Sequence, residues 1–231
     1  MRRSLPMVPQ ATVLILTPVK DANACLHSYF AGLRRLDYPR ELLSVGLLES
    51  DSVDGTFEKF QAELSACSRH FASARIWKRD FHFQLPPGKN RWDPSIQKNR
   101  RSVLAKSRNF LLFNALQEHD WVLWLDVDVI EYPPDLVQQL LATGKDIVQP
   151  HCVKEFGGPT FDRNAWRDHG RLHMEHMRGE GDLVELDTVG GTVLLVRADI
   201  HREGLIFPTF FIGRPVARAR RDNLCHSRLD F

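Results

Sequence analysis

Short apolar runs recur along the first two thirds of the chain, each closed by polar or turn-forming residues and followed by a stretch with helical spacing. Thr12–Thr17 (TVLILT) predicts a buried strand, which Pro18 ends, and Asn23 is placed to open a helix reaching about Leu36. Leu42–Glu49 (LLSVGLLE) predicts a second strand. The turn Asp51–Gly55 follows, and Asp54 or Thr56 caps a helix with Phe57, Phe60 and Leu64 on one face. Ser73–Lys78 reads as a third, shorter strand. Asp80–Gln97 carries Pro86, Pro87, Gly88 and Pro94 and reads as a long loop. A helix over Asn99–Glu118 leads to the most apolar strand, Trp121–Asp126 (WVLWLD). Pro133-Pro134 then opens a helix to about Ala142, and Asp146–Gln149 is again a strand.

This alternation predicts an α/β fold: a mostly parallel central sheet flanked by helices, Rossmann-like, with ligands at the carboxyl ends of the strands. The polar residues of interest fall at those ends: Lys20 and Asp21, Glu49 and Asp51, Asp126 and Asp128. The last third differs. Phe161–Asp182 is loop-rich, and Leu183–Asp187 and Thr192–Val196 are expected to be strands joined through Gly190-Gly191. The expected organisation is one domain over 1–231, with a nucleotide-binding half at 12–150, an acceptor-side half at 151–210 and a tail at 211–231.

Composition narrows the function. The chain has 231 residues, 43% hydrophobic and 26% charged, enough for one sizeable core. A net charge of +2 argues against a nucleic-acid partner; the basic excess is local, at Lys89–Arg108 and Arg214–Arg228. Cys25, Cys67, Cys152 and Cys225 form no CxxC pair, which argues against a zinc site or a disulfide framework. No apolar run is long enough for a membrane anchor, and Met1-Arg2-Arg3 is followed by no signal core.

Three segments carry candidate chemistry. Asp126-Val127-Asp128 closes the WVLWL strand, where alternate side chains share a face, so two carboxylates can share one hard cation that bridges diphosphate oxygens. A solvated turn is the alternative. Glu49, closing the second strand, can accept hydrogen bonds from a base or ribose, while Asp54 and Thr56 read as a helix start. Arg108 can reach a phosphate with its planar fork, or can be an exposed helix arginine paired with a carboxylate. Trp92 and Trp166 are loop residues able to stack on sugars, and Trp121 and Trp124 read as core. Asp187 either orients an acceptor hydroxyl or caps a turn. His169, His173 and His176 read as a solvated loop.

Together these segments resemble the fungal Golgi mannosyltransferases of the mannan polymerase complexes. The likeness runs through ILTPVKDA, LLESDSVDGT, AKSRNFLLFNAL, HDWVLWLDVDV, PPDLVQQLLATGKDIVQP, FDRNAWRD and VGGTVLLVRADIHREGLIFP, roughly Val13 to Phe210. The resemblance implies a GT-A fold and retaining transfer of mannose from GDP-mannose to a mannan or N-glycan outer chain. It implies Mn2+, with Mg2+ as the alternative, a hetero-oligomeric enzyme complex, and the Golgi lumen. By position, Asp126 and Asp128 match the family's catalytic metal and diphosphate motif. Pro18, Lys20, Asp21, Glu49, Asp51 and Arg108 match its donor site. Gly190 and Gly191 match the turn near the acceptor.

The likeness stops after Phe207-Pro208. The ending TFFIGRPVARARRDNLCHSRLDF departs from the family's pattern, and its one histidine, His226, lacks matching neighbours. The expectation is a truncated or divergent tail, which makes a non-catalytic complex subunit the second reading. A nucleotidyltransferase is the third, but TPVKDANA has no glycine for the phosphate loop that class requires.

Overall fold

The computed structural model describes residues 11–210. The tail expectations, including His226, Cys225 and the basic stretch Arg214–Arg228, lie outside them, as do residues 1–10.

The first half alternates strictly: β1 (Val13–Val19), α1 (Leu26–Arg35), β2 (Leu43–Glu49), α2 (Thr56–Cys67), β3 (Ser73–Lys78), α3 (Pro94–Ala115), β4 (Trp121–Leu125), α4 (Leu136–Ala142) and β5 (Ile147–Val148). A small hairpin, β6 (Trp166–Arg167) with β7 (Leu172–His173), precedes β8 (Val193–Arg197) and α5 (Ala198–Arg202). The six-stranded sheet has the order β3-β2-β1-β4-β8-β5. β1 pairs in parallel with both β2 and β4, β2 pairs in parallel with β3, and β8 runs antiparallel to β4 and β5. This is the mostly parallel α/β sheet expected. The chain reverses its direction of winding between β1 and β4, and sheets of this kind bind ligands beyond the carboxyl ends of the strands at that point.

Period-two alternation sorts the core into two layers. Val13, Ile15, Val45, Leu47, Leu123 and Leu125 pack under α1, α2 and α4 with Tyr29, Phe30, Phe60 and Val137. Leu14, Leu16, Val122, Trp124, Leu194 and Val196 pack on the opposite face with Leu111, Leu112 and Phe207. Helix α3 crosses this face, joined at its edge by Ala198 and Ile200 of α5.

Three expectations are corrected. The proline-rich loop ends at Asp93, because Pro94 occupies the first turn of α3 and the Asp93 carboxylate accepts the Ser95 N–H at 2.9 Å. Proline there starts a helix, where the sequence pattern predicts a continuing loop. Leu183–Asp187 is not a strand; Trp166 and Thr188 form an isolated bridge instead. Asp126 lies just past β4. The Val129 N–H donates to the Asp126 carbonyl at 3.2 Å, so a tight turn, rather than strand alternation, presents the two acidic side chains.

Among the described residues no helix is long and apolar enough to cross a membrane.

Candidate active site

The loops after β1 and β2 are interlocked. Lys20 Nζ donates to the Asp51 carbonyl and lies 3.5 Å from the Asp21 carboxylate. Asp21 Oδ1 accepts the Val53 N–H at 2.9 Å, and the Asp21 N–H donates to Ser52 Oγ at 2.9 Å. Asp51 has φ 58° and is buried. Its carboxylate accepts the N–H groups of Phe81 and His82, which fastens the segment after β3 to the same rim. Pro18 lies in β1 opposite Leu48, one position before Glu49.

Glu49 is 1% exposed. Its Oε1 accepts the Ser52 N–H at 2.9 Å. Its Oε2 has no hydrogen-bond partner, and the Lys78 ammonium stands 3.9 Å away. A buried carboxylate oxygen without a donor is costly unless a ligand completes it.

Arg108 is buried, not an exposed helix arginine. Its Nη2 donates to Asp126 Oδ1 at 3.2 Å and to the Gly191 carbonyl at 3.1 Å. Its guanidinium carbon lies 5.1 Å from the Phe207 ring centroid and 5.9 Å from that of Trp124. The two glycines are needed for this closeness. A Cβ on Gly191 would meet Arg108 Nη1 at 2.2 Å, and one on Gly190 would meet Asp162 Oδ2 at 1.9 Å. Gly190 and Gly191 thus back the acidic centre directly. Trp166 and Asp187, distant in sequence, stand together in the fold: the Asp187 N–H donates to the Trp166 carbonyl at 3.0 Å, and Asp187 Oδ2 accepts the His169 N–H at 3.4 Å.

Several neighbours were not singled out from sequence. Asp162 is buried, accepts the Thr192 N–H at 3.2 Å, and acts electrostatically on Asp126. Arg91 Nη2 lies 3.5 Å from Asp128 Oδ2 and its guanidinium covers the Trp92 ring at 4.5 Å. Arg100 is held below the usual arginine value by burial first, then by Arg91 and Arg101, with Asp126 opposing and Arg108 adding to the shift. Arginines from α3 and the preceding loop thus converge on the carboxylates. The signal in the sequence is the basic run Lys89–Arg108, which suits a phosphate site but equally a solvated face.

Burial pushes the Asp126 carboxyl up to about 6; Arg108 opposes the shift, and Asp128 and Asp162 reinforce it. This native value lies above that of an unfolded aspartate, about 3.9. The folded chain therefore binds the extra proton between those values, and stability is lost as pH rises through about 6. Asp126→Asn is expected to remove this pH dependence. Denaturant titrations from pH 4 to 7 should show wild type losing stability relative to the variant; a constant difference would contradict the assignment.

Among the described residues no group of three or more His, Cys, Asp or Glu side chains is arranged to hold a metal. The donor set fits a hard divalent cation nonetheless. Asp126 and Asp128 offer oxygen ligands, a bound cation would favour the ionised form of Asp126 that burial disfavours, and such ions use one or two carboxylates with phosphate and water oxygens. A groove of about 430 Å3 between α2 and β3, lined by Leu64, Arg75 and Trp77, lies at the far edge of the sheet and includes none of these carboxylates.

The Anp1 family matches residues 3–176 and 168–211 of the sequence. The chain belongs to the Anp1 family. The mannan polymerase complex subunit mnn9 of Schizosaccharomyces pombe is 32% identical over 250 residues, covering 89% of this chain and 72% of that protein. The mannan polymerase II complex anp1 subunit of the same yeast is 29% identical over 244 residues, covering 87% of this chain and 57% of its own length. The mannosyltransferase PcManGT from Pyrobaculum calidifontis, solved with GDP-Man and Mn2+, superposes with a TM-score of 0.56 at 16% identity, over 87% of this chain and 48% of that one. This Anp1-family chain has the GT-A fold expected from sequence.

Proposed function

We propose that this Anp1-family chain binds GDP-mannose with Mn2+, or Mg2+ in its place, and transfers mannose to a mannan or N-glycan acceptor with retention. The observation that carries the reading is the convergence of Arg108, Asp126 and Asp128 at the carboxyl end of β4, beside the point where the winding reverses. Asp126 and Asp128 would hold the cation, which when bound neutralises charge on the departing diphosphate. Arg108 supplies a fixed guanidinium to the same oxygens, aided by Arg91 and Arg100. Glu49 supports the nucleoside end through its undonated Oε2. Pro18, Lys20, Asp21 and Asp51 shape that rim; the Asp51 carboxylate is committed to main-chain N–H groups, so its part is to hold the loop. Gly190, Gly191, Trp166 and Asp187 form the acceptor side.

The names of the two yeast relatives support work inside a hetero-oligomeric mannan polymerase complex, and the Golgi lumen is the compartment that the family resemblance implies. A second reading, a non-catalytic subunit that binds donor without turnover, is favoured by the ion pairs that already engage both carboxylates of the DVD turn, Asp126 with Arg108 and Asp128 with Arg91. Transfer from GDP-[14C]mannose to a mannose oligosaccharide, with Mn2+, separates the two. The primary reading expects labelled product that chelator abolishes. Metal-dependent binding without product selects the second reading, and neither binding nor product rejects both.

A further inference from the structure

Behind Arg108 the chain returns to α3 and is locked there. After α5, the Leu205 N–H donates to the Ile200 carbonyl at 3.0 Å, turning the chain back toward the helix. Asn109, adjacent to Arg108 and buried, grips the arriving main chain at both polar groups. Its Nδ2 donates to the Phe207 carbonyl at 2.7 Å, and its Oδ1 accepts the Phe207 N–H at 2.8 Å. Two turns earlier on α3, Ser102 Oγ donates to the Thr209 carbonyl at 2.7 Å. Residues 207–209 are therefore fastened along the helix like an extra strand with side-chain partners.

The clamp fixes an aromatic ring. Phe207 is 4% exposed and meets Trp124 edge-on, 4.9 Å between centroids at 82°. Trp124 is held in turn: its Nε1–H donates to His201 Nε2 at 3.3 Å. An indole can only donate, so His201 Nε2 accepts and Nδ1 carries the proton, which it gives to the Leu205 carbonyl at 2.7 Å. The Arg108 guanidinium lies over the Phe207 ring. Gly191 borders it so closely that a Cβ would collide, and Asp126 stands at its exit.

We propose that Asn109 and Phe207 are positioning residues for Arg108. Asn109 pins the Phe207 main chain, and the Phe207 ring is the floor that aims the guanidinium at Asp126 and at a diphosphate. The inference rests on the donor-site reading above. It makes Phe207, beyond α5, part of that site. A long, flexible side chain held on a face of π electrons loses its alternative rotamers before the ligand arrives.

The test uses the whole chain and Phe207→Leu, a swap that keeps an apolar side chain and removes the ring. The Arg108 Cδ protons, assigned by their loss in Arg108→Lys, are expected to be ring-current shifted in wild type and to move toward ordinary values in Phe207→Leu. GDP affinity in Mn2+ should fall about 3- to 30-fold, the range of a cation–π contact, while guanosine affinity is unchanged. In an Arg108→Lys background the same swap should have a smaller effect. Asn109→Asp, which keeps the acceptor and removes the donor, should reproduce part of the shift if Phe207→Leu fails to fold. An unmoved Arg108 resonance, or equal losses for GDP and guanosine, overturns the proposal. Wild type that shows the ring-current shift but no GDP binding keeps the packing role and refutes the donor-site reading on which the aim at diphosphate depends.

Discussion

Gly191→Ala is expected to lower the proposed mannosyl transfer by about two orders of magnitude, a loss typical of a misplaced catalytic arrangement. The added Cβ would stand 2.2 Å from Arg108 Nη1 and 2.7 Å from its Cζ and Nη2, far inside van der Waals contact. Gly191 does not need left-handed backbone, so the whole effect comes from the arginine it touches. The guanidinium must leave, and with it go the bonds to the Gly191 carbonyl and to Asp126. Overpacking of this kind costs about 1–3 kcal/mol, so the fold is expected to survive with a reduced Tm. Transfer rate and thermal unfolding, measured on the same preparation, check this. A variant with normal transfer would mean that Arg108 can leave its socket without consequence.

Asp128→Ala is expected to abolish metal-dependent binding with little loss of stability. Its structural partner is Arg91 at 3.5 Å; Asp128 is half-buried at 32%, but Arg91 is exposed at 47%, unlike the buried Arg108 that pairs with Asp126. A pair of this kind contributes about 0–1 kcal/mol. Asp126→Ala is different. It would leave the buried Arg108 without its carboxylate, and removing one partner of a buried pair costs about 3–5 kcal/mol, less here because Asp126 keeps 31% of its side chain open. The two variants should therefore look alike by Mn2+ titration and unlike by denaturant titration. Similar stability losses in both would place Asp128, too, in the structural network.

Much of the architecture was legible because it is local. The strands β1 to β4 announce themselves as apolar runs, and a strand as apolar as WVLWL followed by two aspartates makes those charges conspicuous. Glu49 was legible for the same reason, as a charge closing a buried strand. What escaped is tertiary. Asp162 sits in FDRN, an ordinary polar loop, and gains its place only by meeting Gly190 and the Thr192 N–H, 28 and 30 residues on. Gly190 and Gly191 suggested a turn; only the folded chain shows that side chains fill the space their missing Cβ atoms leave. Arg108 was ambiguous because helical position alone does not say which face is covered, and the segment that covers it arrives from residue 207. The start of α3 escaped through a local conflict: three prolines suggested a loop, and the third stands where a helix tolerates one.

The most direct measurement is calorimetric titration of GDP and GDP-mannose into the 231-residue chain and into Asp128→Ala, each with and without Mn2+. Binding to the wild-type chain is expected to require Mn2+ and to be lost in the variant. Equal binding without the metal, unchanged binding by Asp128→Ala, or no binding by a chain shown to be folded would contradict the donor-site reading.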